Sequence, residues 1–374
     1  MKKLFFIKKR FSLHGGAENY MKTLVSRLKR DYDITILSTH WEPSEGICFS
    51  YIPSSQITSF LSLFTFNRNV CRAVKDKTPD CTISFDRTLC QDVYRAGEGC
   101  HAEWLAIRSK QEAFYKKISF KINPLHRLLL SMERRLFSDT PCIIANSNMV
   151  KANIIKHYAV PAGKIHLLYN GVDLERFTPV SKEKWRKQVR NSLTLRPDAK
   201  LVLFVGSGFR RKGLQVLLEA VSLMKDNEIR VLVIGKGPVH KFKAKAAQYG
   251  IAGRTIFLGP QKEIEKYYFA ADLFVLPTLY DPFSNATLEA MASGIPVVTT
   301  GNNGAAELIE NGKEGFVVDD MLDAQELATR MAAALSGADH MGEAARKKAG
   351  EFSIEKTASA FAEIIDHVID QKKL

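Results

Sequence analysis

No run of apolar residues in this chain approaches the roughly 18 needed to cross a bilayer, so no transmembrane helix is expected. Between its lysine pairs the N-terminus offers only Leu4 to Ile7, too short for a signal-peptide core. That stretch reads as a first strand, and the protein is expected to stay in the cytosol. Cysteine is sparse and oddly placed: Cys48, Cys71, Cys81, Cys90, Cys100 and Cys142 all fall in the first half, with no C-x-x-C pair among them. They read as reduced thiols, neither a disulfide framework nor a zinc site. Two phosphate-binding fingerprints are missing as well. Gly15-Gly16 is not G-x-G-x-x-G, and the glycine loop at 206–213 is not G-x-x-x-x-G-K-[ST]. Acidic residues are scarce in one half only. Residues 1–170 hold 26 Lys+Arg against 14 Asp+Glu, whereas 171–374 hold 28 against 26, out of a net +14. A basic half suggests that this half faces a polyanion, an anionic membrane or nucleic acid. No helix-turn-helix or other nucleic-acid motif is visible, so no nucleic-acid partner is expected.

With 374 residues the chain should form two domains, because a single core rarely grows past about 250–300 residues. In the first half Lys3 to Ile7, Ile34 to Ser38, Thr82 to Phe85, Cys142 to Ala145 and Ile165 to Leu168 are candidate strands. The pattern restarts at the turn Asn170-Gly171. Strands are then expected at Leu201 to Val205, Val231 to Ile234, Thr255 to Leu258, Leu273 to Leu276, Pro296 to Thr300 and Gly315 to Val318, with helical segments between. This is a doubly wound α/β pattern. The boundaries are drawn at 1–170 and 171–352. An amphipathic last helix, 353–374, has Phe361, Ile364, Ile365 and Val368 on one face and is expected to return to the first domain. Ligand signals at strand ends in both halves imply an active site in a cleft between them.

Those signals begin at Asp281 to Glu289. Ser284 is a good N-cap, and the amides of Asn285, Ala286 and Thr287 then form a cradle for phosphate at a helix N-terminus. Asp281 and Glu289 lie eight residues apart, so at ~1.5 Å rise per residue their backbones differ by about 12 Å. A glycosidase pair needs carboxyl groups roughly 5–9.5 Å apart. The spacing better suits gripping the two ends of one extended ligand: sugar, diphosphate and ribose. An ordinary crossover with solvated acids is the other reading. Upstream, Gly206-Ser207-Gly208-Phe209-Arg210-Arg211-Lys212-Gly213 follows a buried strand, where Arg211 and Lys212 suit a diphosphate or simply a basic turn. Gly15-Gly16, after the first strand, permits either close approach of a ligand or a tight turn.

Together with Gly235-Lys236-Gly237-Pro238 and Leu258-Gly259, these segments resemble the retaining glycosyltransferases of family 4, and within it the bacterial lipopolysaccharide core enzymes. The likeness covers most of the second half. It implies the GT-B fold, two Rossmann-like domains facing across a cleft. It also implies a nucleotide-sugar donor, UDP-glucose, held by Gly15, Gly16, Gly206, Arg211, Lys212, Gly235, Leu258, Asp281, Asn285, Ala286, Thr287 and Glu289. The family's E-x7-E pattern appears here as Asp281 to Glu289, with Asp in place of the first Glu. That acid would contact the sugar hydroxyls, the second the ribose. Asp92-Val93-Tyr94-Arg95-Ala96-Gly97-Glu98 resembles the acceptor-side loop, with Glu98 where an Asp is usual.

The resemblance implies catalysis by Glu98, Arg211, Lys212 and Asp281 with no bound metal or cofactor, the exposed pair Asp319-Asp320 being a loop. A hexose would pass with retention onto a lipid-linked glycan such as inner-core heptose. Another hexosyl- or heptosyltransferase of the envelope, or an epimerase or hydrolase on the same scaffold, would share these residues. Residues 104–135 carry eight Lys or Arg against Glu112 and Glu133. Trp104, Ile107, Phe114, Tyr115 and Ile118 recur at helical spacing, and Leu125, Leu128, Leu129 and Met132 follow. This basic amphipathic stretch would place the enzyme on the anionic cytoplasmic face of the inner membrane, or else pack its apolar faces inward.

Overall fold

The computed structural model describes residues 1–10, 16–40, 46–112, 120 and 122–373, except for the side chains of Ala17 and Ser181. The chain forms two compact units, Met1–Asn170 with Glu355–Leu374, and Gly171–Ile354.

The first unit is a seven-stranded sheet built from β1 (Lys2–Ile7), β2 (Tyr32–Ser38), β3 (Cys48–Tyr51), β4 (Cys81–Ser84), β5 (Val93–Arg95), β6 (Cys142–Ala145) and β7 (Ile165–Leu167). Every pairing is parallel, in the order β3-β2-β1-β4-β5-β6-β7. Two of these strands carry no sequence signal of their own. β3 is an edge strand whose residues are mostly exposed, so it has no apolar face to announce. β5 ends on Arg95, a charge that reads as loop. In the fold this guanidinium is buried over the rings of Tyr20, 4.3 Å away, and Phe85, 5.2 Å away, and it donates to Asn170 Oδ1. Stacking on ring faces lets the sheet accept a cation there.

The last helix, Ile354–Lys373, belongs to this unit from Glu355 onward. Phe361 lies against Phe6 and Phe85 at 6.5 and 6.3 Å between centroids. Ile365 and Val368 are buried and Ile364 half-buried. Asp366 accepts from Lys2 Nζ and Tyr32 Oη, and Lys372 pairs with Asp92 at 3.0 Å.

One expectation is overturned. Cys71 and Cys90 form a disulfide, with Cα atoms 5.4 Å apart. Their spacing matches no motif, because the partners meet only when the helix Ser59–Lys77 packs beside the loop that follows β4. A bridge closing a loop of this length stabilises by about 3 kcal/mol in the chain-entropy account. Dithiothreitol should therefore lower the melting temperature of the wild type and leave that of a Cys71→Ala/Cys90→Ala variant unmoved.

The second unit is a six-stranded parallel sheet of β8 (Lys200–Val205), β9 (Ile229–Ile234), β10 (Thr255–Gly259), β11 (Leu273–Leu276), β12 (Val297–Thr300) and β13 (Gly315–Val318), in the order β10-β9-β8-β11-β12-β13. All six were legible as apolar runs: strands covered on both faces need no alternation, and the edge strand β10, half-buried throughout, still carries Ile256, Phe257 and Leu258 in a row. In both units the strand order reverses beside the first strand, between β1 and β4 and between β8 and β11. Open α/β sheets bind ligands beyond the carboxyl ends of the strands at such a point.

Candidate active site

In the second unit the reversal brings the loops after β8 and β11 together. Two glycines make the approach possible. A Cβ on Gly213, at φ +76°, would lie 1.8 Å from the Pro277 carbonyl oxygen; one on Gly235, at φ +137°, would lie 2.1 Å from that of Gly206. Only glycine adopts such backbones at no steric cost. The Arg211 carbonyl accepts from Leu279 N at 2.8 Å and Thr278 Oγ1 at 3.0 Å, and Arg211 Nη1 donates to the Tyr280 carbonyl at 2.9 Å. The basic loop is thus pinned to the acidic one.

The pinning couples two residues that the sequence treats separately. Lys212 Nζ forms an ion pair with Asp281, and both side chains are nearly enclosed. Burial lowers the Lys212 pKa, while the Asp281 charge opposes that shift. A buried pair of this kind carries a desolvation cost and is sensitive to loss of either partner. Asp281 is also held through its backbone, its N–H donating to the Asn302 carbonyl and its carbonyl accepting from Gly304 N, each at 2.9 Å.

The helix expected after Ser284 spans Asn285–Ala292, and Ser284 caps it. The cap alters the cradle. Thr287 N donates to Ser284 Oγ at 3.3 Å, and the Thr287 hydroxyl, fully buried, accepts from Asn303 Nδ2 at 3.0 Å. Both polar groups of Thr287 are thus engaged within the fold, its amide by the cap and its hydroxyl by Asn303. Asn285 and Ala286 keep their place at the helix N-terminus, half-buried.

Asn303 is a residue that sequence reasoning missed. Fully buried after β12, its Oδ1 accepts from Ser284 N and Ala305 N, both at 3.1 Å, and its Nδ2 also reaches Thr299 Oγ1 at 3.0 Å. It ties the loop after β12 to the N-cap. Glu289, half-buried, accepts from Tyr268 Oη at 2.9 Å. Burial raises its pKa, against the pull of the Tyr268 hydrogen bond and of Arg176. Tyr268 was also missed; its helix, Glu265–Ala270, is too short for periodicity to mark. Gly206 N donates to the Ile234 carbonyl at 2.9 Å and Gly235 N to the Gly259 carbonyl at 3.1 Å, so the loops after β8, β9 and β10, with Leu258 beside them, form one edge.

In the first unit Gly15 lies outside the described residues, and Gly16 opens the helix Gly16–Leu28. Glu98 follows β5, between Gly97 and Gly99, with its side chain 41% exposed. It sits in a charge cluster that the sequence does not reveal. Arg87 bridges Glu98 and Glu133, with Nε 2.9 Å from Glu133 Oε1. Lys8, at the end of β1, pairs with Asp86 at 2.7 Å and lies 3.9 Å from Glu98. Lys8 and Asp86 therefore straddle the strand-order reversal between β1 and β4. Glu133, fully buried, also accepts from His101 N at 2.7 Å and Tyr158 Oη at 2.6 Å. Burial of its headgroup raises the Glu98 pKa and the Asp86 charge adds to the rise, while Arg87 and Lys8 oppose it. Burial pushes the Asp86 pKa up, but the charge and hydrogen bond of Lys8, the Lys9 amide and the hydrogen bond with Glu98 together bring it down. Asp92, at the start of the segment read as acceptor-side, is structural: its carboxylate accepts from Thr82 N at 2.8 Å.

Of the basic stretch 104–135, Phe114, Tyr115, Lys116, Lys117, Ile118 and Lys121 lie outside the described residues. Ile107 and Met132 are buried, and Trp104, Leu125, Leu128 and Leu129 half-buried, so much of this apolar face packs inward. No helix among the described residues is long and apolar enough to cross a membrane.

Residues 186–373 match the family model of glycosyl transferases group 1, and residues 14–176 that of glycosyltransferase family 4. Among curated relatives, the D-inositol 3-phosphate glycosyltransferase of Corynebacterium urealyticum is 32% identical over 62% of this chain and 58% of its own. The lipopolysaccharide glucosyltransferase WaaG of Escherichia coli is 24% identical over 86% of each chain. The chain thus spans little more than half the length of the first curated relatives it matches, 58% and 55%. A crystal structure of WaaG superimposes with a TM-score of 0.85 over 97% of this chain and 99% of that one, at 22% identity. Anabaena HepE in complex with UDP-glucose does so with 0.76 over 98% and 100%, at 18% identity. At these identities the structures establish a shared fold, two Rossmann-like domains of the GT-B type.

Proposed function

This chain belongs to the group 1 glycosyl transferases, in the family 4 branch with the GT-B fold, and from that premise we propose that it moves glucose from UDP-glucose onto a lipid-linked glycan. The observation that carries the reading is the Arg211, Lys212 and Asp281 cluster, held at the strand-order reversal of the second unit. Arg211 and Lys212 take the diphosphate and neutralise it as it leaves, the part a cation plays in other transferases. Asp281, anchored by Lys212, receives the sugar hydroxyls. Asn285 and Ala286 present the helix N-terminus to phosphate, and Glu289, oriented by Tyr268, receives the ribose. Glu98 orients the acceptor hydroxyl, which attacks the anomeric carbon on the face from which the diphosphate leaves; the bond from that carbon to the phosphate oxygen breaks, the leaving phosphate oxygen takes the hydroxyl proton, and the anomeric configuration is retained. The glucose and a lipopolysaccharide acceptor draw support from WaaG, a lipopolysaccharide glucosyltransferase, and the UDP-glucose donor from HepE, which was solved with that molecule; the inner-core heptose rests on the resemblance of the motifs alone. A lipid-anchored acceptor places the enzyme peripherally on the inner membrane.

Thermal-shift measurements against a panel of nucleotide-sugars, followed by product analysis with a heptosylated lipid acceptor, test the proposal. UDP-glucose should give the largest stabilisation. Glu289→Ala should weaken donor binding about tenfold, the scale of a lost charged hydrogen bond, with little change in kcat. Free glucose without transfer product would identify a hydrolase instead.

A further inference from the structure

The loop 85–92, between β4 and β5, carries Asp86 and Arg87, and the Arg87 guanidinium donates to Glu98 and to the buried Glu133. The helix Ser59–Lys77 holds this loop at two points. Asn67 Nδ2 donates to the Arg87 carbonyl at 3.5 Å. One turn further along the same helix face, Cys71 is joined to Cys90, which stands three residues past Arg87. The bridge therefore braces the segment that aims Arg87, and Arg87 in turn touches the acid of the acceptor-side cluster.

The surroundings suit the two cysteines unjoined as well as joined. Asn67 Oδ1 lies 3.4 Å from Cys71 Sγ, in place to accept from a thiol. Cys90 packs against the apolar cluster that includes Phe66 and Val70 of the helix, where a free cysteine behaves as a small hydrophobe. The loop also has hydrogen bonds that owe nothing to the bridge. Thr88 Oγ1 lies 2.7 Å from Gln91 Oε1, and Gln91 Nε2 donates to Thr140 Oγ1 at 2.6 Å. Opening the bridge thus leaves the loop folded and removes its brace to the helix. Cys71 and Cys90 are both half-buried, so neither is sealed in the core. Cys81, Cys100 and Cys142 are buried, and burial pushes their thiols up in pKa, which suppresses exchange through them. Cys48, on β3, is exposed.

We propose that the Cys71–Cys90 bridge is a reversible redox switch on the acceptor-side cluster: closed, it holds Arg87 against Glu98, and open, it lets Arg87 withdraw. The reductant is a dithiol of the thioredoxin class. One of its thiolates attacks a sulfur of the bridge, the bond between Cys71 and Cys90 breaks, and the released sulfur takes a proton. The second thiolate of the reductant then displaces the other cysteine from the mixed disulfide. Two electrons and two protons have passed to Cys71 and Cys90, and the reductant ends as a disulfide. Glutathione disulfide reverses the exchange. With Arg87 loosened, Glu98 loses a cation that favours its ionised form, so transfer near neutral pH falls. That consequence rests on the role proposed above for Glu98; the release of the brace does not.

The test uses the full chain with Cys48→Ser, so that no exposed thiol competes. It is compared after glutathione disulfide, after dithiothreitol, and with Cys71→Ser/Cys90→Ser added. Well below the melting temperature, amide hydrogen exchange in 85–92 should be at least about fivefold faster in the reduced and the serine proteins than in the oxidised one, with β6 unchanged. The acid limb of kcat/KM should move up by about 0.5 pH unit or more on reduction, the scale of a weakened charge pair, and return on reoxidation. In the serine variant it should stay at the reduced position under both treatments. Equal exchange and equal acid limbs in the oxidised and reduced proteins overturn the proposal, as does a redox response that persists in the serine variant. Exchange that rises equally throughout the first unit also overturns it, leaving the bridge a staple of the whole fold. Full transfer by Glu98→Gln, with the exchange change in 85–92 still present, would support the brace while removing Glu98 from the reaction.

Discussion

Replacing Lys212 by alanine should reduce turnover by about 100-fold or more, because it removes a positive charge aimed at the departing diphosphate. The same change should also destabilise the second unit. Asp281 would be left nearly enclosed with its cation gone, and breaking a buried pair from one side costs about 3–5 kcal/mol. The two effects separate in the double variant Lys212→Ala/Asp281→Asn. Removing the orphaned charge should restore most of the melting temperature, yet turnover should stay low. Lys212→Arg keeps a charge but changes its shape, and should retain more activity than alanine. Full turnover in a folded Lys212→Ala protein would sink the phosphate assignment, whereas equal recovery of stability and activity in the double variant would make the pair structural only.

Glu98→Gln should lower kcat by about 10²-fold or more, the usual contribution of a positioned acid or base. The more telling experiment alters Arg87, which touches both Glu98 and the buried Glu133. Arg87 favours the ionised form of Glu98, whose pKa already lies above the ordinary carboxylate value. In Arg87→Met that pKa rises further. If ionised Glu98 is the working form, the acid limb of kcat/KM moves to higher pH, and Arg87→Lys moves it back toward wild type. Stability follows the same sign. A carboxyl whose folded pKa is raised contributes fully below its unfolded pKa, near 4.3 for glutamate, and that contribution is lost as pH rises through the folded value. The Arg87→Met protein, with its carboxylates uncompensated, should therefore be least stable at the alkaline end. An unmoved acid limb in a stable Arg87→Met protein would remove Glu98 from the mechanism.

How much of this was legible depended on whether a residue's partner lay nearby in sequence. The six strands of the second unit were visible as apolar runs, because a strand covered on both faces is largely apolar; the half-buried edge strand β10 was visible through Ile256, Phe257 and Leu258. Arg211, Lys212, Asp281 and Glu289 could be singled out because each sits just past such a run or in the helix that follows one. β3 and β5 escaped notice for opposite reasons: one is exposed at an edge, and the other buries an arginine that aromatic rings accept.

The capping of Thr287 by Ser284 is local, and its consequence for the cradle needed only the observation that a cap consumes an amide. The pairing of Lys212 with Asp281 spans 69 residues, and that of Arg87 with Glu133 spans 46. The sequence by itself determined the parallel α/β class, the division into two units and the loops that carry charge, since these follow from hydrophobic pattern and turn chemistry along the chain. The tertiary structure alone decided which charges meet, which cysteines join and which side of the helix Ser59–Lys77 is left to solvent. Those outcomes depend on the order in which strands lie side by side, and strand order is set by packing across the sheet, which no local pattern encodes.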